Sequence, residues 1–215
     1  MKKAIVIGGT GMVGTQLIQQ LINHPDYSEI VSLVRRPSGI SHSKLNELVI
    51  NFDEPENWKN HITGDVLFST LGTTMAQAKS KEAQYKVDYT YQYTVAQVAA
   101  QNGVPSYVLV SSAGANAKSG IFYSGMKGKL DDAVKLLPFS VTSIIRPGQL
   151  DGDRMKKRTT EKIALSVMYA LNKIGLFNGY KPIQGWEVAK AMINAANKKQ
   201  SGIYSLKEVF ELAQE

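Results

Sequence analysis

Tyr123 and Lys127 stand four residues apart in FYSGMKGKLDDAVKLL. Met126, Leu130, Val134 and Leu137 recur at helical spacing through the same stretch, so the phenol and the ammonium share one face of a helix. A phenol with its ordinary pKa of about 10 is a poor acid-base group at neutral pH, but a neighbouring ammonium favours the phenolate and brings it into range. Lys127 is therefore expected to activate Tyr123. Just upstream, Ser111 and Ser112 end the β-branched run SYVLVSS. Tyr and Lys at this spacing are common on ordinary helix surfaces. What distinguishes this pair is its company: the serines behind it and a glycine-rich turn near the N-terminus.

That turn is AIVIGGTGMVGTQLI, residues 4–18. Gly8 lets the chain turn sharply out of a first strand, Gly11 lets the backbone approach a pyrophosphate with no Cβ in the way, and Gly14 lets the following helix pack closely on the sheet. The N–H groups at the helix start, around Thr10, Met12 and Val13, would hold the anion with help from the helix dipole. A tight turn without a ligand uses the same glycines. The strand before, the helix after and the alternation that follows favour dinucleotide binding. About 20 residues on, where NAD-preferring sites present Asp or Glu to the ribose, the chain offers Arg35 and Arg36 in VSLVRRPS. Planar guanidinium forks suit a 2′-phosphate, so the expected cofactor is NADP(H). Asp53 closes a third strand in INFD, and Thr70, Leu71 and Gly72 follow a fourth. Both loops are expected at the carboxyl edge, beside the adenine and the middle of the cofactor.

The elements that must position these groups alternate. AIVIG, IVSLV, LVINF, VLFST, SYVLVSS and SVTSIIRP read as short strands. Helical patterns lie between several of them, in MVGTQLIQQLI, EAQYKVDYTYQYTVAQVAAQ and FYSGMKGKLDDAVKLL. Such alternation predicts an α/β fold, a doubly wound parallel sheet covered by helices on both faces. After Asp153 come two amphipathic patterns, Thr159 to Leu176 and Trp186 to Asn197. No linker sets them apart, so residues 1–215 read as a single domain in which 154–215 form a small helical cap on the substrate side. The composition, 43% hydrophobic and 20% charged over 215 residues, suits one soluble globular domain. No apolar run approaches the roughly 20 residues that span a bilayer. The first strand begins too early to leave room for a signal peptide, and the expected location is cytoplasmic. Without cysteine there are no disulfides, thiolate metal sites or cysteine nucleophiles. The net charge of +7 suits an anionic partner without choosing among nucleic acid, membrane surface and phosphorylated small molecule.

Taken together, GGTGMVG, the arginine pair, STLGTT, VSSAGA, YSGMK and RPGQL resemble an atypical short-chain dehydrogenase/reductase, most similar to the Tat-interacting-protein group with its compact C-terminal part. The likeness runs from Lys3 to about Asn197. It implies an NADP(H)-binding Rossmann domain in which Tyr123, Lys127 and a serine act on a carbonyl or alcohol. NADPH would then reduce a small carbonyl compound, with Tyr123 giving the proton, Ser112 steadying the oxygen, and Lys127 tuning Tyr123 and holding the nicotinamide ribose. Ser112 is preferred because Ala113 follows it at the strand end, with Ser111 as the other choice. The resemblance also implies Pro147, Gly148 and Leu150 beside the nicotinamide and Arg154 near the cofactor's charged part. Where many relatives carry an Asn that relays protons, this chain has Asp88. Members of the group also serve as NADPH-binding regulators with little turnover, and that is the alternative function.

The remaining features point to ordinary structure. RMKKR, residues 154–158, reads as a solvated face, and no nucleic-acid module accompanies it. The tyrosines at 85, 89, 91 and 93 are expected on different helix faces and not as a base-stacking platform. His24, His42 and His61 lack metal-ligand spacing. Trp58 and Trp186 are expected as packing residues. A monomer or homodimer acting on a small molecule, with no nucleic acid and no membrane as partner, is the expected assembly.

Overall fold

The structure, a computed structural model, describes residues 1–151 and 181–215. Its first strand, β1 (Lys2–Ile7), shows why the opening run is apolar throughout. Ala4 and Val6 join the core on one side of the sheet, Ile5 and Ile7 the core on the other, and all four are fully buried. A strand covered on both faces has no polar side to alternate with. There follow α1 (Met12–Asn23), β2 (Tyr27–Val34), β3 (Leu45–Val49), β4 (Val66–Ser69), the short α2 (Met75–Ala78) and α3 (Lys81–Tyr85), and α4 (Gln92–Gln101). Then come β5 (Ser106–Val110), α5 (Phe122–Lys135), β6 (Val141–Arg146), β7 (Leu150–Asp151), β8 (Ile183–Gln184), α6 (Gly185–Asn197), β9 (Gly202–Ser205) and α7 (Lys207–Gln214).

Seven strands form one parallel sheet in the order β3-β2-β1-β4-β5-β6-β9. The winding reverses between β1 and β4, where open parallel sheets leave a crevice at the carboxyl ends of the strands. Leu17, Leu21 of α1, Val188, Met192 of α6 and Leu212 of α7 cover one face. Val95, Ala99 of α4 and Leu130, Val134 of α5 cover the other. The doubly wound α/β sheet expected from the alternation is the fold that forms.

Several local expectations change. The helix expected from Trp186 to Asn197 forms as α6, but it packs on the sheet beside α1, and β9 adds a strand outside β6. Of the cap expected over 154–215, residues 185–215 therefore belong to the sheet and its helix layer. An amphipathic stripe says that a helix buries one face, not against what. The helix expected over 159–176, the RMKKR run and Arg154 lie outside the described residues. Trp58 is buried, but Trp186 is half-exposed at the start of α6 and is not a packing residue. β3 ends at Val49, before INFD; Phe52 turns in to pack on Trp58 and Tyr91, so Asp53 lies in a turn instead of at a strand end.

A π-helical segment, Lys86–Tyr91, joins α3 to α4. Across it Tyr85, Tyr89 and Tyr93 stack, with ring centres 4.8 and 6.0 Å apart, because steps of four residues keep them on one face. Tyr91 departs to stack on Phe52. Farther on, β7 and β8 pair in parallel, Leu150 with Ile183 and Asp151 with Gln184, and Gln184 Nε2 donates to Asp151 Oδ2 at 2.9 Å. This short neck ties together the two ends of the chain that flank residues 152–180. Among the described residues no helix is long and apolar enough to cross a membrane.

Candidate cofactor and active site

The glycine loop is closed by contacts that a side chain would prevent. Gly8 has φ +80°, and a Cβ there would strike the Leu71 amide and the Thr70 carbonyl. A Cβ on Gly14 would strike the Gly8 oxygen and lie 2.7 Å from Thr70 Oγ1. The exit of β1, the start of α1 and the loop after β4 are thus in direct contact, and Thr70 Oγ1 donates to the Ile7 carbonyl at 2.8 Å. Gly11 is different: its N–H donates to the Gly8 oxygen at 2.9 Å, and its outer side is open. Thr10 and Gly11 are exposed while the Val13 side chain joins the core, so Met12, Val13 and Gly14 present backbone here. Gly11 supplies no side-chain cap, and the first turn of α1 carries no acid. The leading N–H groups of that helix are left for a ligand, and the cradle fits an anion such as a pyrophosphate.

Arg35 and Arg36 follow the end of β2 directly and are exposed at the carboxyl edge. Asp53 is engaged elsewhere. Lys86 Nζ lies 2.8 Å from its Oδ1 and Tyr91 donates to the same oxygen at 3.0 Å, and the Lys86 bond holds the carboxyl below its ordinary value. Leu71 packs on the core below the loop, and Gly72 stands over Asp88, whose Oδ1 would lie 3.3 Å from an added Cβ.

At the other end of the crevice β5 sends its two serines opposite ways, as successive residues of an extended chain do. Ser111 is buried and its hydroxyl lies toward Asp131, while Ser112 is half-buried. On α5, Tyr123 is 42% exposed and Lys127, one turn on, only 3%. The Lys127 ammonium donates to the Val110 carbonyl at 3.1 Å. Burial pushes its pKa below the ordinary value, and the carboxylates of Asp88 and Asp131 oppose that fall.

Both acids are themselves perturbed. Asp88, carried inward by the π-helical segment, is 2% exposed. Burial pushes its carboxyl up to about 6 against the pull of Lys127 and of the Thr73 N–H, which donates to Oδ2 at 2.8 Å. Asp131 is fully buried and its carboxyl is also raised by burial, with Arg146 opposing: Nη2 lies 2.8 Å from Oδ2 and Nε donates to it at 2.9 Å. Gln92 ties the group to the sheet, donating to the Asp88 carbonyl and accepting from Ser69 Oγ, both at 2.7 Å. A buried cation between two carboxylates, next to a strand that ends in serines, is an arrangement suited to holding and passing a proton.

Tyr123 opens onto a cleft of about 460 Å³ walled also by Thr73, Met75, Gln84, Ile121 and Phe122. Pro147 is buried and its carbonyl accepts from the Ala113 N–H at 3.0 Å, which holds the exit of β6 against the serine strand. Gly148 adjoins Leu206, and Leu150 is half-buried in β7. Tyr123 thus lines the cleft with Thr73, Lys127 reaches the Val110 carbonyl beneath the serine pair, Gly72 lies against Asp88, and Pro147 holds the segment that follows Ser112. Asp131, Arg146, Gln92 and Ser69 were missed from sequence. Only Asp131 left a usable sign, a carboxylate one helical turn beyond Lys127.

The pattern of the NAD(P)H-binding family matches residues 8–199. The chain belongs to that family. Its resemblance to the atypical short-chain dehydrogenase/reductases holds with it. Among the relatives of this NAD(P)H-binding chain are "Protein fmp52, mitochondrial" of Emericella nidulans, 34% identical over 94% of this chain and 90% of that one, and "Protein FMP52, mitochondrial" of Candida albicans, 34% identical over 92% and 89%. In fold it is similar to ADP-L-glycero-D-manno-heptose-6-epimerase of Helicobacter pylori, with a TM-score of 0.71 at 17% identity over 99% of this chain and 81% of that one. It is similar also to the enzyme WbmH of Bordetella bronchiseptica, solved with NAD+, with a TM-score of 0.70 at 14% identity over 98% and 79%. The cytoplasmic expectation does not stand, because relatives aligned over about nine-tenths of both chains are named mitochondrial. An early first strand marks where the fold starts and carries no information about compartment.

Proposed function

We propose that this protein is an NADP(H)-dependent oxidoreductase that reduces a small carbonyl compound, with Tyr123 as the proton donor. The observation that carries the reading is the contrast on α5. Tyr123 lines an open cleft, while Lys127, one turn behind it, is buried against the strand that ends in Ser112. Bound NADPH supplies the hydride. Ser112, half-buried where Ser111 is turned into the core toward Asp131, steadies the carbonyl oxygen. Lys127 provides the positive charge that favours phenolate after the proton has left. Gly8, Gly11 and Gly14 with the first turn of α1 hold the pyrophosphate, the Thr70–Gly72 loop and Pro147 border the middle of the cofactor, and Arg35 and Arg36 receive the 2′-phosphate.

The test is NADPH oxidation against a panel of aldehydes, ketones and quinones, parent beside Tyr123→Phe. The substitution removes one hydroxyl and keeps the ring, so fold and cofactor affinity should survive. Turnover should fall by about 10²–10⁴, the usual worth of general acid catalysis. A variant with full activity would rule out Tyr123 as the donor. A parent that binds NADPH and turns over nothing in the panel would move the reading to an NADPH-binding regulator.

A further inference from the structure

The cleft beside Tyr123 has a chemical character that the reductase reading does not use. Met75 and Ile121 stand exposed on its walls at 41% and 71%, and Phe122 lines it between them. Exposed apolar side chains gathered around a concavity mark a surface kept for an apolar ligand. Among the described residues its one cationic lining group is Lys81, and no carboxylate lines it. The Lys81 ammonium lies 5.7 Å from the centre of the Phe122 ring, a cation–π contact that keeps it over the cleft wall. The neighbouring Glu82 does not answer it with an ion pair. That carboxylate is turned to its own helix start, where its backbone N–H and Ser80 hold its pKa down, with the Lys81 charge adding a smaller pull from farther off.

The opposite wall is fixed in place. The Thr73 N–H donates to Asp88 and its carbonyl accepts from Gln84 Nε2 at 3.3 Å, while Thr74 Oγ1 accepts from the Gln77 N–H and caps α2. A cleft with apolar walls, one ammonium that forms no salt bridge among the described residues, and a rigid polar edge selects for a ligand of matching polarity.

We propose that the cleft takes carbonyl compounds with an apolar body and a carboxylate, and that Lys81 holds the carboxylate; this rests on the reading of Tyr123 as the carbonyl-facing acid. The probes are 4-carboxybenzaldehyde and its methyl ester, which differ in charge and share the apolar ring and the aldehyde. Each is titrated calorimetrically into the NADP+-loaded protein, parent, Lys81→Met and Lys81→Glu, and each is then offered with NADPH for turnover. The acid should bind about tenfold more tightly than the ester in the parent. The ratio should fall to about one in Lys81→Met, invert in Lys81→Glu, and narrow in the parent at about 0.5 M salt. Lys81 is exposed, so both variants should fold, and circular dichroism checks this. A parent ratio near one, failure of both probes to bind, or a ratio unchanged in Lys81→Met overturns the proposal. An intact, Lys81-dependent ratio without NADPH oxidation upholds the carboxylate site and overturns the reductase reading alone.

Discussion

Asp88 holds a carboxyl almost out of solvent, with the Thr73 amide and Lys127 as its answering groups. Its titration rises from an ordinary 3.8 to about 6 because burial penalises the charged form more than those groups reward it. Between those two pH values the folded chain keeps a proton that the unfolded chain has lost, so Asp88 costs stability as pH rises through the interval, and the cost is complete above it. Asp88→Asn keeps an acceptor for Thr73 and cannot ionise. Relative to the parent, the variant should therefore gain about 2–3 kcal/mol between about pH 4 and pH 7.5. Urea unfolding of both proteins at the two pH values reads this directly, because the other carboxyl groups cancel in the difference. Parallel pH profiles would show that Asp88 titrates normally. The same residue fixes the Thr73 edge of the cleft, so its protonation state reaches the wall that Tyr123 shares.

At the level of elements, the glycine loop shows how close packing and ligand binding separate. Gly14→Ala forces a methyl into the Gly8 carbonyl and Thr70, which should cost about 1–3 kcal/mol of stability as well as cofactor affinity. Gly11→Ala meets only the Gly8 oxygen, at 3.2 Å, and should leave stability near the parent's while weakening NADPH at least about tenfold. Denaturant unfolding beside NADPH fluorescence titration separates the two, and equal stabilities for the two variants would refute the packing account of Gly14. This loop was legible in the sequence because its determinants are local: a strand, a turn and a helix within residues 2–23. That Tyr123 and Lys127 stand one turn apart on a helix was legible for the same reason. The electrostatic influence of Asp88 on Lys127 was not, since it depends on a π-helical segment that one-dimensional periodicity does not encode. Nor was β9: four residues at a sheet edge, with Ile203 40% exposed, make too weak a pattern. Asp53 was misplaced because Phe52 looks like a strand residue and is in fact a turn residue buried against Trp58.

Over the whole molecule, the glycine loop joins β1, α1 and the loop after β4, so a dinucleotide bound there would tie several elements of the sheet together. NADPH at about 100 times its dissociation constant should contribute about 2.7 kcal/mol and raise the melting temperature by roughly 5–10 °C. If Arg35 and Arg36 receive the 2′-phosphate, NADH at the same concentration should raise it by several degrees less. The gap should close in the Arg35→Ala, Arg36→Ala double variant. Equal shifts from the two cofactors in the parent would remove the arginines from cofactor choice. The neck formed by β7 and β8 has its own consequence. It pins Asp151 to Gln184, and just beyond it Gly185 meets the Met12 carbonyl at the start of α1, 2.9 Å from where a Cβ would be. One two-residue pairing thus acts as a clasp: it sets the two points at which the chain leaves and rejoins the described fold side by side, and loss of the Gln184 amide would release both at once.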